Sequence, residues 1–173
     1  NENILTEYFL DHITDPKTRA FILNYYLDSF KGTLFRQTQF AVFEQFLHEA
    51  DAKGEPLTAD TLDDVYGQIN QHYYGDSVEP GGDIALEWSR IPHFYYNFYV
   101  YQYATGFAAA TALANKVVHG TPAERDAYLG FLKAGSSDYP TEIMKRAGVD
   151  MTKPDYLEDA FKTFEKRLNE FES

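Results

Sequence analysis

Apolar side chains recur at intervals of three and four along most of this chain, and no stretch alternates apolar and polar at every second position. That interval gathers them on one stripe of an α-helix. Residues 2–13 place Ile4, Leu5, Tyr8, Phe9 and His12 on a common face. Asp15 followed by Pro16 reads as a helix start, since proline suits the first helical position, where its missing N–H costs nothing. From there to about residue 52, Phe21, Tyr25, Leu27, Phe30, Leu34, Phe35, Phe43, Phe46 and Leu47 keep the helical interval. Gly32 interrupts it and predicts either a kink or the close approach of a neighbour to a residue with no side chain.

Residues 53–56 (KGEP) read as a turn. Thr58 then caps a helix running to about Tyr73, with Leu62, Val65 and Ile69 turned inward. Residues 75–82 carry three glycines and a proline and predict a loop, and residues 83–88 a short helix. Pro92 ends one element or starts the next. A long helix is expected from about Asn97 to His119, another from Thr121-Pro122 to Lys133, a loop over 135–140, a short helix over 141–147 and a last one over 154–171. With no internal repeat, low-complexity tract or interdomain linker, the pattern predicts an all-α fold: one multi-helix domain spanning residues 1–173.

Composition narrows the function. A chain of 173 residues with 44% hydrophobic residues can bury a core. A net charge of −12, spread along the chain, argues against nucleic acid and anionic membranes as partners, because both want basic patches. The absence of cysteine suits a reducing compartment. The first ten residues are polar and acidic, unlike a signal peptide, so a cytoplasmic location is expected. The chain begins without Met, which predicts processing or truncation. Residues 91–115 contain no Asp, Glu, Lys or Arg and are long enough to cross a bilayer. The first half of that stretch carries His93, Asn97, Gln102 and five tyrosines, whose polar groups would need partners in lipid, so a helix buried in protein is the better reading.

That stretch also holds the candidate chemistry. Residues 90–106 read RIPHFYYNFYVYQYATG. At about 100° per residue, Tyr96, Tyr99, Val100, Tyr103 and Phe107 would share one helical face, with His93 near the stripe and Tyr95 and Tyr101 on other faces as packing residues. Two readings follow from the residues alone. The stripe is an aromatic core whose hydroxyls bond to neighbouring helices, or it is a set of phenol and imidazole donors able to hold a developing oxyanion. A metal centre is not encoded locally. The five histidines (His12, His48, His72, His93 and His119) are widely separated, and His48-Glu49 is followed by Ala50, Asp51 and Ala52, so no H-E-x-x-H arises.

Several spaced segments then agree with one family: residues 31–38 (KGTLFRQT), 54–58 (GEPLT), 73–75 (YYG), 85–90 (ALEWSR), 131–140 (FLKAGSSDYP) and 147–152 (AGVDMT), together with the His/Tyr run. In their order and across essentially the whole chain they resemble the C-terminal catalytic part of the oligoendopeptidase F group, zincin-type metallopeptidases of the thimet oligopeptidase family. The resemblance implies a metalloendopeptidase that binds zinc and cleaves short peptides in an enclosed channel. It implies that Asn1-Glu2 matches a pair lying just after the zinc ligands, so the metal belongs to an upstream zinc-binding part of the same enzyme and none is expected in this chain alone. Without that part, the chain is expected to be inactive by itself. The resemblance also assigns substrate binding and transition-state stabilisation to His93, Tyr96 and Tyr103 first and to Tyr99 second, as donors to the carbonyl oxygen attacked by zinc-bound hydroxide.

Other positions carry paired readings. Gly32-Thr33 and Arg36 suggest a helix contact with an ordinary ion pair in preference to a substrate site, and residues 135–139 a helix connection in preference to a cleft loop. Trp88 and Arg90 would brace the segment bearing His93. Glu2 is a partner for a metal-bound histidine or an exposed carboxylate, and His12, His48, His72 and His119 are surface or packing residues. The alternative function is a non-catalytic helical module that binds peptides or small ligands in a tyrosine-lined groove, or a purely structural helical protein.

Overall fold

A computed structural model of the chain describes residues 1–77 and 82–173. Among the described residues every regular element is helical, as the apolar spacing predicts. The α-helices are α1 (Glu2–His12), α2 (Pro16–Ser29), α3 (Arg36–Lys53), α4 (Ala59–Tyr74), α5 (Tyr101–His119), α6 (Pro122–Ala134), α7 (Pro140–Arg146) and α8 (Asp155–Glu172). A π-helical turn, Phe30–Phe35, separates α2 from α3, and 3₁₀ segments occupy Gly75–Ser77, Gly82–Arg90 and Pro92–Tyr95. The loop expected over 75–82 is thus 3₁₀ at its start, and its residues 78–81 lie outside the described residues.

Capping follows the sequence signals. The Asp15 carboxylate accepts the Thr18 N–H at 2.9 Å ahead of Pro16, and Thr58 accepts the Thr61 N–H at 3.3 Å. Thr121 and Glu124 form a reciprocal capping box around Pro122. Gly54 ends α3 in the left-handed region, at φ 75°. The interruption at Gly32 is the π turn itself. No atom lies within 4 Å of where a Gly32 Cβ would stand, so close approach is not its cause.

The chain divides into two compact units, Asn1–Lys31 with Thr105–Ser173, and Gly32–Ala104. In the first, Leu10, Leu23, Tyr26 and Phe30 are buried, and the Phe30 ring meets Phe107 edge-on at 4.9 Å and Phe164 at 5.5 Å. From α5 this unit takes Ala108, Ala109, Ala112, Leu113 and Ala114, small residues that let backbones pack closely. Several of its buried or half-buried polar groups are paired across long sequence distances. Asn3 donates to Thr111 at 3.0 Å, Asn115 to Thr163 at 2.9 Å, and the Tyr128 hydroxyl to Asn1 at 2.8 Å. The buried Arg167 guanidinium donates to buried Glu7 and, at 2.7 Å, to Glu170, which also accepts from Arg19.

In the second unit, Phe40 and Phe43 of α3, Leu62 and Tyr66 of α4, and Ile91, Phe94 and Val100 form the core, with Trp88 packed against it. A buried carboxylate ties this unit together. Glu87 accepts the Tyr66 hydroxyl at 2.7 Å and the guanidinium groups of Arg36 and Arg90. Arg36 also lies over the Phe40 ring, 4.6 Å from its centroid. Arg36 therefore serves the ordinary ion pair rather than a substrate. Trp88 donates to Asp63 at 2.7 Å.

The one clear departure from the helical expectation lies in the aromatic stretch. The helix expected from residue 97 begins at Tyr101, because Asn97 (φ 51°) and Phe98 (φ 61°) adopt the left-handed conformation. A right-handed helix cannot run through such residues. Among the described residues, no helix is long and apolar enough to cross a membrane.

Two stability effects are expected. Arg167→Met removes the guanidinium partner of the buried Glu7 carboxylate and should cost about 3–5 kcal/mol, read from denaturant unfolding beside the native chain. Burial alone would push the Glu87 carboxyl up, but the Tyr66 hydroxyl and the Arg36 and Arg90 guanidiniums outweigh burial and hold it below the usual carboxylate range. A group lower in the folded than in the unfolded state contributes stability above its unfolded value and loses it as pH falls through the folded value. Glu87→Gln should therefore flatten the loss of stability on acidification below the ordinary carboxylate range, measured as unfolding midpoint against pH.

Candidate active site

The site is built by sorting alternate aromatic residues. Ile91, Phe94 and Val100 are buried, and the Phe94 ring packs edge-on against Phe40 at 5.7 Å and Phe43 at 5.2 Å. These anchors fix the backbone between them. Pro92 opens the 3₁₀ turn that carries His93, and the Tyr96 N–H closes it on the His93 carbonyl at 3.0 Å. Asn97 and Phe98 then reverse the local path, and α5 starts with Tyr103 in its first turn.

The outcome is convergence of all four expected residues by a different geometry from the one the spacing implied. Only Tyr103 sits on α5, while Tyr96 and Tyr99 precede it, so no shared helical face exists. The turn nevertheless gathers them about one imidazole. The His93 ring stacks on Tyr99 (5.9 Å, 16° between planes) and meets Tyr96 at 5.8 Å and Tyr103 at 6.0 Å edge-on. Tyr99 and Tyr103 are perpendicular at 5.4 Å, and the Tyr103 hydroxyl donates to that of Tyr99 at 3.2 Å. The three phenols are exposed, at 56%, 38% and 37% for Tyr96, Tyr99 and Tyr103, and His93 is half-buried. Within this chain these phenols are not covered as a core stripe would be. Tyr95, expected to pack, is 81% exposed. Tyr101 lines a groove of about 520 Å³ with Ala41, Glu44, His48 and Phe98.

The hydrogen bond to Tyr99 raises the pKa of the Tyr103 hydroxyl, because the donated proton is harder to remove. Tyr103 donating to Tyr99 leaves the Tyr99 hydroxyl proton directed elsewhere, so the pair can present a polarised donor to a ligand.

Two residues on α3 support this site and were not singled out as such from sequence. The Glu44 carboxylate, 1% exposed, accepts the Phe98 N–H at 2.9 Å. One helical turn on, the His48 ring stacks on the Phe98 ring at 4.1 Å and 28°. His48 thus fulfils its packing expectation, on a specific partner. The only sequence signal for the turn is Asn97, a residue that tolerates left-handed backbone better than most. Nothing nearby in sequence points to Glu44, which lies 54 positions from Phe98. Trp88 and Arg90 do brace the segment, since the Ile91 N–H bonds to the Trp88 carbonyl at 3.1 Å and Arg90 holds Glu87.

Residues 135–139 connect α6 to α7, with Asp138 accepting the Tyr139 N–H at 2.8 Å and Arg146 at 2.7 Å. Glu2 is exposed and accepts the Tyr25 hydroxyl at 2.9 Å. Among the described residues, no group of three or more His, Asp or Glu side chains comes together that could hold a metal ion.

Comparison with known proteins places this arrangement. The model of the family described as Peptidase family M3 matches residues 1–163. The chain belongs to peptidase family M3. The M3 chain is 59% identical over 172 residues to the chromosomal oligoendopeptidase F of Lactococcus lactis subsp. cremoris, covering 99% of this chain and 29% of that protein. It is 53% identical over 173 residues to the oligopeptidase PepF of Bacillus subtilis, covering 99% of this chain and 26% of that protein. The crystal structure of oligoendopeptidase-F from Enterococcus faecium superposes with a TM-score of 0.95 at 61% identity, over 99% of this chain and 33% of that one. The M3 chain thus spans about a third or less of the length of these relatives, and over its span its all-α fold matches that of the Enterococcus faecium structure.

The hydroxyl pair gives a direct check. Tyr99→Phe removes the acceptor and should lower the Tyr103 pKa toward that of an ordinary phenol. A ¹³Cζ-tyrosine NMR titration, with the Tyr103 signal assigned from Tyr103→Phe, reads the shift, and an unmoved titration would mean the hydroxyls are not paired in solution.

Proposed function

We propose that this M3 chain is the C-terminal lobe, residues 1–173, of a cytoplasmic zinc oligoendopeptidase that hydrolyses short peptides. In this reading His93, Tyr96, Tyr99 and Tyr103 form its transition-state donors. The observation that carries the reading is one imidazole with three exposed phenols about 6 Å away, two of them hydrogen-bonded to each other. Such groups donate protons without competing for a metal. They suit a carbonyl oxygen that gains negative charge as a peptide bond is attacked. Zinc would be held by an upstream part of the same enzyme, and when bound it supplies Lewis-acid chemistry at the scissile bond.

The residues of this chain would bind and orient. Tyr96, the most exposed of the three phenols, would meet the peptide itself. Tyr99 and Tyr103 act as a pair in which one hydroxyl polarises the other, and the His93 N–H adds a further donor beside them. A donor that contacts the oxygen mainly after charge develops lowers the barrier without tightening ground-state binding.

In the full-length enzyme, Tyr103→Phe should reduce kcat on a fluorogenic short peptide by roughly 10²–10³-fold with little change in KM. Tyr101→Phe should change kcat by less than about threefold. Similar small effects from both would return the cluster to packing. The 173-residue chain alone should neither retain stoichiometric zinc in metal analysis nor cleave the peptide. Chelator-sensitive cleavage by the chain alone would overturn the division of the site between two parts of the enzyme.

A further inference from the structure

We propose that Glu44 is a positioning residue for the His93–Tyr96–Tyr99–Tyr103 cluster, acting through the left-handed turn at Asn97 and Phe98; this rests on the transition-state role proposed for that cluster.

The turn is where the cluster is made. Phe94 and Val100 are anchored in the core on either side of it, so the conformation of residues 97 and 98 decides where Tyr96 and Tyr99 point relative to His93. Neither residue is glycine, and Phe98 at φ 61° is a bulky side chain in a conformation that L-residues avoid. Such a conformation persists only when its surroundings over-determine it.

Two α3 side chains supply that. Glu44 places a carboxylate against the Phe98 N–H at 2.9 Å, a charge-assisted bond from a side chain almost wholly removed from water. His48 covers the Phe98 ring in a stacked contact at 4.1 Å. They stand four residues apart on α3 and therefore share one face, so a single helix grips the turn by its backbone and by its side chain. Glu44 touches none of the four donors in this arrangement. Its influence on them passes through the Phe98 peptide.

This assigns Glu44 the job of an acceptor rather than of a charge. Gln can accept the same N–H, and Ala cannot. In the full-length enzyme, Glu44→Ala should lower kcat on the order of tenfold with KM within about twofold, as expected when reacting groups are misplaced. Glu44→Gln should stay within about threefold of the native kcat, and His48→Ala should fall between them. Hydrogen–deuterium exchange over residues 93–100 should be faster in Glu44→Ala than in Glu44→Gln. Tyr103→Phe runs alongside, and thermal unfolding confirms that each variant is folded.

Loss of kcat in Glu44→Ala with recovery in Glu44→Gln supports the proposal. Folded Glu44→Ala at native kcat, while Tyr103→Phe is impaired, overturns it and leaves the role of the tyrosines standing. Glu44→Gln as damaged as Glu44→Ala also overturns it, since the charge and not the acceptor would then matter. Native activity in Tyr103→Phe defeats the reading on which it rests. If Glu44→Ala does not fold, His48→Ala decides, and native kcat with native exchange over 93–100 counts against the grip of α3 on the turn.

Discussion

The carboxylate of Glu44 accepts one backbone N–H, that of Phe98, at the turn where the aromatic segment leaves the helical path before Tyr101. The energetics are closely balanced. Two residues in the left-handed region cost roughly 1–2 kcal/mol each. A hydrogen bond to a charged group returns about 1.5–3 kcal/mol, and the stacking of His48 on Phe98 adds to it. The anchors Ile91, Phe94 and Val100 then do the rest, because burying them fixes both ends of the turn against the core of the Gly32–Ala104 unit. Exposure of the neighbouring phenols follows from the same partition, since every side chain committed inward leaves its neighbour outside.

The helices were legible because burial imposes a period on sequence, and α1, α4, α6 and α8 lie within a few residues of where apolar spacing and caps predict them. The family was legible because several motifs agree in order. The composition of the candidate site was readable too, as a histidine and tyrosines in one uncharged run. Its geometry was not. A periodic argument assumes an unbroken helix, and a single Asn is a weak signal against one. Tyr95 shows the same limit, since its placement depends on a 3₁₀ turn whose three-residue repeat puts side chains elsewhere than a helix would. Glu44 was invisible because its partner lies far along the chain and is a backbone group, which no side-chain pattern reveals.

Each compact unit solves the problem of a buried carboxylate in its own way. Glu87 is met by a phenol and two guanidiniums. Glu7 is met by Arg167, itself buried and shared with Glu170, in a chain of pairs that reaches Arg19. Such arrangements add little net stability over apolar packing, but they are intolerant of losing one member. They tie residues distant in sequence to one arrangement. Arg36 with Glu87 joins α3 to the 3₁₀ segment before His93, and Glu7 with Arg167 joins α1 to α8.

Trp88 is the only tryptophan of the chain, half-buried against the Phe43 side of its core and hydrogen-bonded through its indole to Asp63. The chain thus carries one tryptophan fluorophore, and it stands in the unit that bears the aromatic cluster. Its emission will redden when the Gly32–Ala104 core opens to water. Circular dichroism reports instead on the helices of both units. Comparing the two signals during unfolding would tell whether the unit holding the phenols melts with the rest of the chain or separately from it.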